Sequence, residues 1–321
     1  MPQPTASDVH VNAPLTSISI AFMQDQKNFV ARKVFPEVPV QKQSDRYYVY
    51  DKKQWFRSDA RMRAPGTESA GSGFTVDNTP TYYCGVRALH KDVDDQLRAN
   101  ADAAINPDRD ATEFVTRDLM LEQEIDWAAK YFNTGVWTGS TTGGDVTPGT
   151  LWDAANSTPI EDMRAEIEAI HQGTGFMPNK LVIGAQVWRV LQDHPDFLER
   201  IKFTQTGIVT QDLLARVLEI DEVLVARGIQ DINPEGAAED LQYIMGKRAM
   251  LCYSAPRPGL MQPSAGYTFA WRGLFGANAA AMRIKRFRME HLSSDRVEGE
   301  SAYDHKLVAA ECGAMMDGVI S

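Results

Sequence analysis

One amphipathic segment constrains this chain more than any other stretch. Between Asp108 or Asp110 and Asn133, the apolar residues Phe114, Leu121, Ile125, Ala128 and Phe132 recur at spacings of seven, four, three and four. That pattern stacks them on one face of a helix, while Arg117, Asp118, Glu122 and Asp126 project elsewhere. Asn106-Pro107 biases the preceding chain out of helix, and Asp108 and Asp110 offer acceptors to the free amides of a first turn. At 1.5 Å per residue, a helix of roughly 25 residues spans about 37 Å, more than the width of a small domain. The segment therefore reads as a strut, with Leu121 and Ile125 central to the face laid against a sheet.

A chain of 321 residues has room for one large or two ordinary domains and buries roughly three quarters of its unfolded surface. Hydrophobic residues at 43% and charged residues at 24% fit a globular fold and argue against disorder or a disulfide scaffold. A net charge of -10 argues against broad attachment to a phosphate backbone, which needs clustered Lys and Arg. Cys84, Cys252 and Cys312 have no CxxC spacing, which fits a reducing compartment and neither a zinc site nor paired disulfides. Met1–His10 lacks a basic-then-apolar leader, and no run reaches the ~18 apolar residues of a membrane span, so aqueous surroundings are expected.

Residues 1–45 lack long periodicity but carry Leu15, Ile18, Ile20, Phe22, Phe29, Val34 and Phe35, too many apolar groups for a solvated tail. An arm that docks on a neighbour is expected. From Arg46 to Trp55, and again at Phe74–Val76 and Thr81–Val86, aromatic and β-branched residues predict two strands. Between them Arg57–Gly73, with Arg57, Arg61 and Arg63, is too long and polar for a tight hairpin. A two-stranded projection with a basic tip is marginal alone and calls for support from another subunit. Phe22, Phe35, Trp55, Arg57, Arg61 and Arg63 are accordingly the expected inter-subunit contacts. Beyond the Gly/Thr/Pro-rich connection at Thr134–Asn156, helices are predicted over Pro159–His171, Ala185–His194, Pro195–Ile201 and Thr210–Leu218. Strands are predicted at Lys180–Gly184, Glu222–Ala226, Arg248–Tyr253, Tyr267–Trp271, Ala281–Met289 and Ser301–Cys312. The irregular interleaving predicts an α+β fold.

The search for chemistry returns little. Gly173-Thr-Gly-Phe-Met-Pro lacks the third glycine of a dinucleotide loop, and Gly139–Gly144 has no following Gly-Lys-Ser/Thr. His90 with Asp92, Asp94 and Asp95 offers oxygen ligands to a cation, but the spacing fits a solvated strand-to-helix junction better. His194 between Asp193 and Pro195 reads as a cap on the last turn of a helix. Cys84 lies in an apolar strand as an inert thiol, and the basic run Arg283, Lys285, Arg286 and Arg288 reads as paired surface charge. No catalytic residue, metal site or cofactor is expected.

An arm, a projecting loop and a strut without chemistry fit assembly, and the wording of two stretches agrees. Ile18–Asp25 through Val34–Val40, and Pro178–Leu191 through His194-Pro-Asp, resemble the major capsid proteins of tailed bacteriophages with the HK97-type fold. The likeness continues through Ile201–Gln205 and Glu222–Gly228, and the order of elements is similar along nearly the whole chain. The resemblance implies an N-terminal arm at 1–45, an extended two-stranded loop at 46–86, and a peripheral domain at 87–156 with a spine helix at 108–133. It further implies an axial domain at 157–262 and a return to the periphery at 263–321. It implies, too, a shell of hexamers and pentamers around double-stranded DNA, found in the virion and assembled in host cytoplasm, with no enzymatic activity. A portal and a decoration protein are partners such shells use. Some relatives weld subunits through a loop lysine; Arg57–Gly73 has none, and Lys52 and Lys53 fall on the ascending strand, so no covalent crosslink is expected. Nothing before residue 45 is helical enough for a built-in scaffold, so a separate scaffolding protein is expected. Two other readings stand beside this one: an encapsulin-like compartment of the same fold, and a hydrolase using His90 or His194 with nearby aspartates.

Overall fold

The computed structural model describes residues 24–50, 52–101, 105–201, 209–259, 261–275 and 282–321. The chain enters through helix α1 (Ala31–Val34) and strands β1 (Glu37–Val40), β2 (Ser44–Arg46) and β3 (Val49–Tyr50), then a one-turn helix α2 (Lys52–Trp55). An irregular stretch leads back through β4 (Val76–Asp77) and β5 (Thr81–Tyr83) into β6 (Gly85–Asp94), α3 (Asp95–Asn100) and the long α4 (Pro107–Tyr131). The middle of the chain runs α5 (Pro159–Thr174), β7 (Lys180–Gly184), α6 (Ala185–Gln192), α7 (Pro195–Ile201), α8 (Gln211–Leu218) and β8 (Glu222–Ala226). A hairpin, β9 (Ile229–Asp231) and β10 (Leu241–Tyr243), precedes β11 (Ala249–Cys252). β12 (Gly266–Trp271), α9 (Arg272–Phe275), β13 (Met282–Met289), β14 (Ser294–Leu307) and β15 (Gly313–Met316) complete the fold.

Two sheets organise these elements. The first orders β1-β12-β14-β13, with β6 along the other edge of β14; β1 runs parallel to β12 and the other pairs are antiparallel. The second orders β15-β11-β7-β8, with β7 and β8 parallel across the α6–α8 crossover. Its strands are apolar on both faces because both are covered. Leu181, Ile183, Val223, Val225 and Leu251 face α5, α6 and α8, while Val182, Leu224, Ala226, Met250 and Met315 face α1 and the end of α4. Met163, Ile167 and Ile170 form the buried face of α5, as their spacing predicts.

The long helix spans both sheets. Asn106 caps it, accepting the Arg109 amide at 3.1 Å, with Pro107 in the first turn, so the cap sits ahead of the expected aspartates. Its buried stripe is Ala111, Val115, Leu119, Gln123, Glu124, Trp127, Ala128 and Tyr131. Of the expected stripe Ala128 and Phe132 are buried, but its first three members are not: Phe114 is 50% exposed, its ring beneath the Lys91 ammonium at 5.2 Å, and Leu121 and Ile125 are half-buried. Small residues take the contact face because helix and sheet approach closely there. A Cβ on Gly299 of β14 would fall 2.4 Å from Val115 Cγ1 and 2.8 Å from Leu119 Cδ1. Further along, Trp127, Tyr131 and Phe132 pass into the core beneath the second sheet. α4 thereby clamps one sheet to the other.

Buried polar groups in the first sheet make the fold sensitive to acid. His305 of β14 is buried, with Nδ1 2.8 Å from Thr268 Oγ1 on β12. Burial pulls its pKa from the usual 6.5 down to about 3. A histidine depressed on folding contributes stability that is complete above its unfolded value and is lost as pH falls from about 6.5 toward about 3. Up to about 1.4 kcal/mol per pH unit is expected from this group inside that window. In thermal melts between pH 7 and pH 4, His305→Gln should show a shallower fall of Tm with acid than the parent. Parallel slopes would assign the acid sensitivity elsewhere.

Candidate functional site

The most unusual surface is the projection between β2 and β5. Ser44–Arg46 pair with Thr81–Tyr83, and Val49-Tyr50 with Val76-Asp77, so two thin antiparallel ladders carry the chain away from the first sheet. Lys52 and Lys53 do not continue a strand as expected; they begin the one-turn helix α2, which folds the chain over before the tip. Lys52 Nζ donates to the Gly173 carbonyl at 3.0 Å and pairs with Glu311.

Aromatic rings gather at that fold without being covered. Trp55 lies 5.6 Å from Phe74 and 6.4 Å from Tyr50 between ring centroids, yet Trp55 stays 54% exposed, Phe56 64% and Tyr48 67%. Phe56 leans over Gly175, which ends α5 at φ +76°; a Cβ there would meet the ring at 3.0 Å, so glycine serves both the backbone turn and the contact. Between projection and body runs a groove of about 1050 Å³, walled by Tyr50, Trp55 and Phe56 on one side and Phe176, Met261 and Tyr267 on the other. Contiguous exposed rings of this kind mark an interaction surface.

The tip is electropositive. Arg57, Arg61 and Arg63 are exposed, set against Asp59 and Glu68, in a chain of net charge -10. Arg57 pairs with Asp59 at 2.8 Å and Arg63 donates to the Thr67 carbonyl. Of the residues expected at a subunit contact, Trp55 and the three arginines thus share one projection. Phe22 lies outside the described residues. Phe35 is a correction: at 0% exposure it fills the core of its own chain, edge-on to Trp127 at 5.6 Å and tilted on Tyr131 at 4.9 Å. Tyr48 and Phe56 were not singled out from sequence. Their place beside Trp55 in an aromatic run was the available signal.

The groups considered for chemistry hold structure instead. Asp92 takes both arms of Arg296 at 2.7 and 2.9 Å, Asp94 caps α3 through the Gln96 amide at 2.6 Å, and Asp95 takes Arg288 at 2.6 and 2.7 Å. The arginines beside Asp92 and Asp95 hold both carboxyls below their usual range. Among the described residues no cluster of three or more His, Cys, Asp or Glu converges on a metal position. His194 caps the start of α7 rather than the end of α6: the Asp196 amide donates to its Nδ1 at 3.1 Å. Its proton therefore sits on Nε2, facing Ser157 Oγ at 2.9 Å and the Ala154 carbonyl at 3.2 Å, the wrong tautomer to deprotonate that serine. The basic run on β13 is paired: Arg283 and Lys285 with Glu300, Arg286 with Asp295, and Arg288 with Asp95. Burial pushes the Cys84 thiol up to about 12.

A projecting loop with exposed rings and a helix that spans two sheets are, among the described residues, the features that set this fold apart. No family model matches the chain. It is 24% identical over 321 residues to the major capsid protein of Burkholderia phage BcepMu, covering 96% of each. Among solved structures it is similar to a phage-related protein from Bordetella bronchiseptica RB50, with 21% identity, TM-score 0.70 and 92% and 93% coverage of the two chains. It is similar also to the capsid of cyanophage P-SCSP1u, with 10% identity, TM-score 0.62 and 97% and 93% coverage. An encapsulin complex from Synechococcus elongatus has the same fold at 12% identity and TM-score 0.55, with 97% and 94% coverage. The chain has the HK97-type capsid fold, and its curated relatives are phage major capsid proteins.

Proposed function

We propose that this chain is the structural subunit of an icosahedral phage head, assembling with copies of itself into hexamers and pentamers that enclose double-stranded DNA. One observation carries the reading: a thin two-stranded projection holds exposed Trp55, Phe56 and Tyr48 and an arginine-bearing tip that its own body leaves uncovered. A second copy supplies what the projection lacks, apolar cover for the rings, and a chain of net charge -10 offers further acidic groups to the exposed arginines. In this reading residues 1–45 are the arm and 46–86 the extended loop. Residues 87–156 and 263–321 are the peripheral domain, built on the first sheet and α4 except that β15 closes the second sheet, and 157–262 the axial domain. The protein resides in the virion after assembly in host cytoplasm, with a separate scaffolding protein, a portal and a decoration protein as partners, and does no catalysis. The encapsulin reading shares the fold, but the curated relatives are phage major capsid proteins. Purified particles separate the two, since a phage head holds nucleic acid and a compartment holds a cargo protein.

With no lysine at 57–73 and Lys52 engaged by Gly173 and Glu311, subunits should cohere without covalent bonds. The native protein is expected to sediment as capsomers and larger shells, and after denaturation to give a single 35.7 kDa mass. A monomer across micromolar concentrations would contradict assembly; a ladder of subunit multiples would contradict the absence of crosslinks.

A further inference from the structure

We propose that Lys52 is a positioning residue for assembly: it clasps the projection to its own body and so fixes the angle at which Trp55 and Phe56 are presented to a neighbouring copy. The step to assembly rests on the function proposed above; the clasp itself stands on contacts within one chain. Lys52 Nζ reaches two parts of the body at once, donating to the Gly173 carbonyl at 3.0 Å and pairing with Glu311. Gly173 lies in the last turn of α5, where free carbonyls and the negative end of the helix favour a cation. Four residues on from Lys52, Phe56 lays its ring over Gly175, which ends the same helix. The projection is thus fastened to the end of α5 at two points.

Both sides of the clasp are firm. α5 buries Ile160, Met163, Ile167 and Ile170 in the core beside the second sheet. Glu311 sits in the short turn Ala310–Cys312, which is pinned at each end: the Thr138 amide donates to the Ala310 carbonyl at 3.1 Å and the Tyr253 amide to the Cys312 carbonyl at 2.8 Å. On the projection, the rings of Tyr50, Trp55 and Phe74 pack together with centroids 5.6 to 6.4 Å apart. They join α2 to the β3–β4 ladder, so a restraint on Lys52 acts on the whole ring cluster.

Little else fixes that angle. The projection leaves the first sheet through ladders of three and two residue pairs, and a two-stranded ribbon of this kind is marginal alone. At its base Tyr47 and Tyr82 rest on Phe269 at 5.4 and 4.5 Å between centroids. Beyond the base, the groove of about 1050 Å³ parts projection from body. No described residue between 48 and 79 is buried, so swinging this segment opens no core. A contact made by a pre-set projection avoids the ordering cost that a swinging one would meet. The Lys52 and Glu311 side chains are 43% and 51% exposed, so the ion pair is a weak one, and its loss is expected to weaken such a contact by up to about fivefold.

Distances between spin labels on the full unassembled chain test the clasp. Thr75→Cys in the projection and Glu168→Cys on α5 give exposed labelling sites, while Cys84, Cys252 and Cys312 are buried from the label. With Lys52 in place the distance distribution should be narrow, and Lys52→Met should broaden it while Tm stays within a few degrees. Glu311→Gln should broaden it too, but should add nothing once Lys52 is Met, because one ammonium makes both contacts. A narrow distribution in Lys52→Met, or further broadening in the double variant, would overturn the proposal. Without the labels, Lys52→Met should need up to about fivefold more protein than the parent before particles form. Particles at the parent's concentration from a variant with the broad distribution would overturn the positioning role. A parent with the narrow distribution that forms no particles would contradict the proposed function, and the positioning role with it, while supporting the clasp.

Discussion

Leu119→Asp should leave no folded chain to purify, while Phe114→Asp, five positions earlier on the same helix, should fold with a change within about 1 kcal/mol. Leu119 is 3% exposed and lies over Gly299, where β14 has no side chain to move aside. A carboxylate there is buried without a cation and leaves the volume of the leucine unfilled. A cavity of that kind alone costs about 2–5 kcal/mol, and the stranded charge adds several more. Together they reach the whole stability of an ordinary domain, roughly 5–15 kcal/mol. Phe114 stands in solvent under Lys91, and an aspartate in its place would keep an ionic neighbour. Denaturant melts of the soluble fractions decide the matter. Two equally stable variants would mean that the buried stripe of α4 is not Ala111–Val115–Leu119.

Replacing Trp55 and Phe56 together by serine should do the reverse, leaving the fold intact and stopping assembly. Both rings are more than half exposed in the single chain, so little native burial is lost and Tm should move by only a few degrees. In an assembled shell the same rings would be contact anchors, and aromatic anchors carry about 2–4 kcal/mol each. A loss near 3 kcal/mol per contact weakens that contact about 100-fold, and every subunit repeats it. Monomer that melts within a few degrees of the parent is the expected product. Normal particles would show that the projection does not hold neighbours through these rings.

What could be read from the residues followed the periodicity of burial. β7 and β8 are apolar throughout because helices cover one face of their sheet and α1 and α4 the other, so Lys180–Gly184 and Glu222–Ala226 stand out as strands. The long helix was legible as a helix, and its facing only at the C-terminal end, where Ala128 and Phe132 are buried. Phe114, Leu121 and Ile125 make a larger apolar stripe than Ala111, Val115 and Leu119, and only Gly299, far away in sequence, makes the smaller stripe the better fit. β14 extends seven residues before Ser301, through Ser294–Glu300, a stretch too polar to read as a strand. Its charges answer Arg283, Lys285 and Arg286 across the β13 ladder. β1 carries Pro39, which a sheet accepts at an edge, and it pairs with β12 more than two hundred residues on. At the candidate surface, the aromatic run and the arginines marked the projection. Whether a given ring points inward, as Phe35 does, or outward, as Trp55 does, depends on Trp127 and Tyr131, and residue type alone does not give it.

Electron microscopy of the purified chain, imaged as it assembles, tests the central claim most directly. Capsomers, tubes or shells in which each projection of residues 46–86 lies across an adjacent subunit with Trp55 and Phe56 covered are the predicted result. A uniform field of monomers at high concentration, or shells in which the projection packs only on its own subunit, would contradict it.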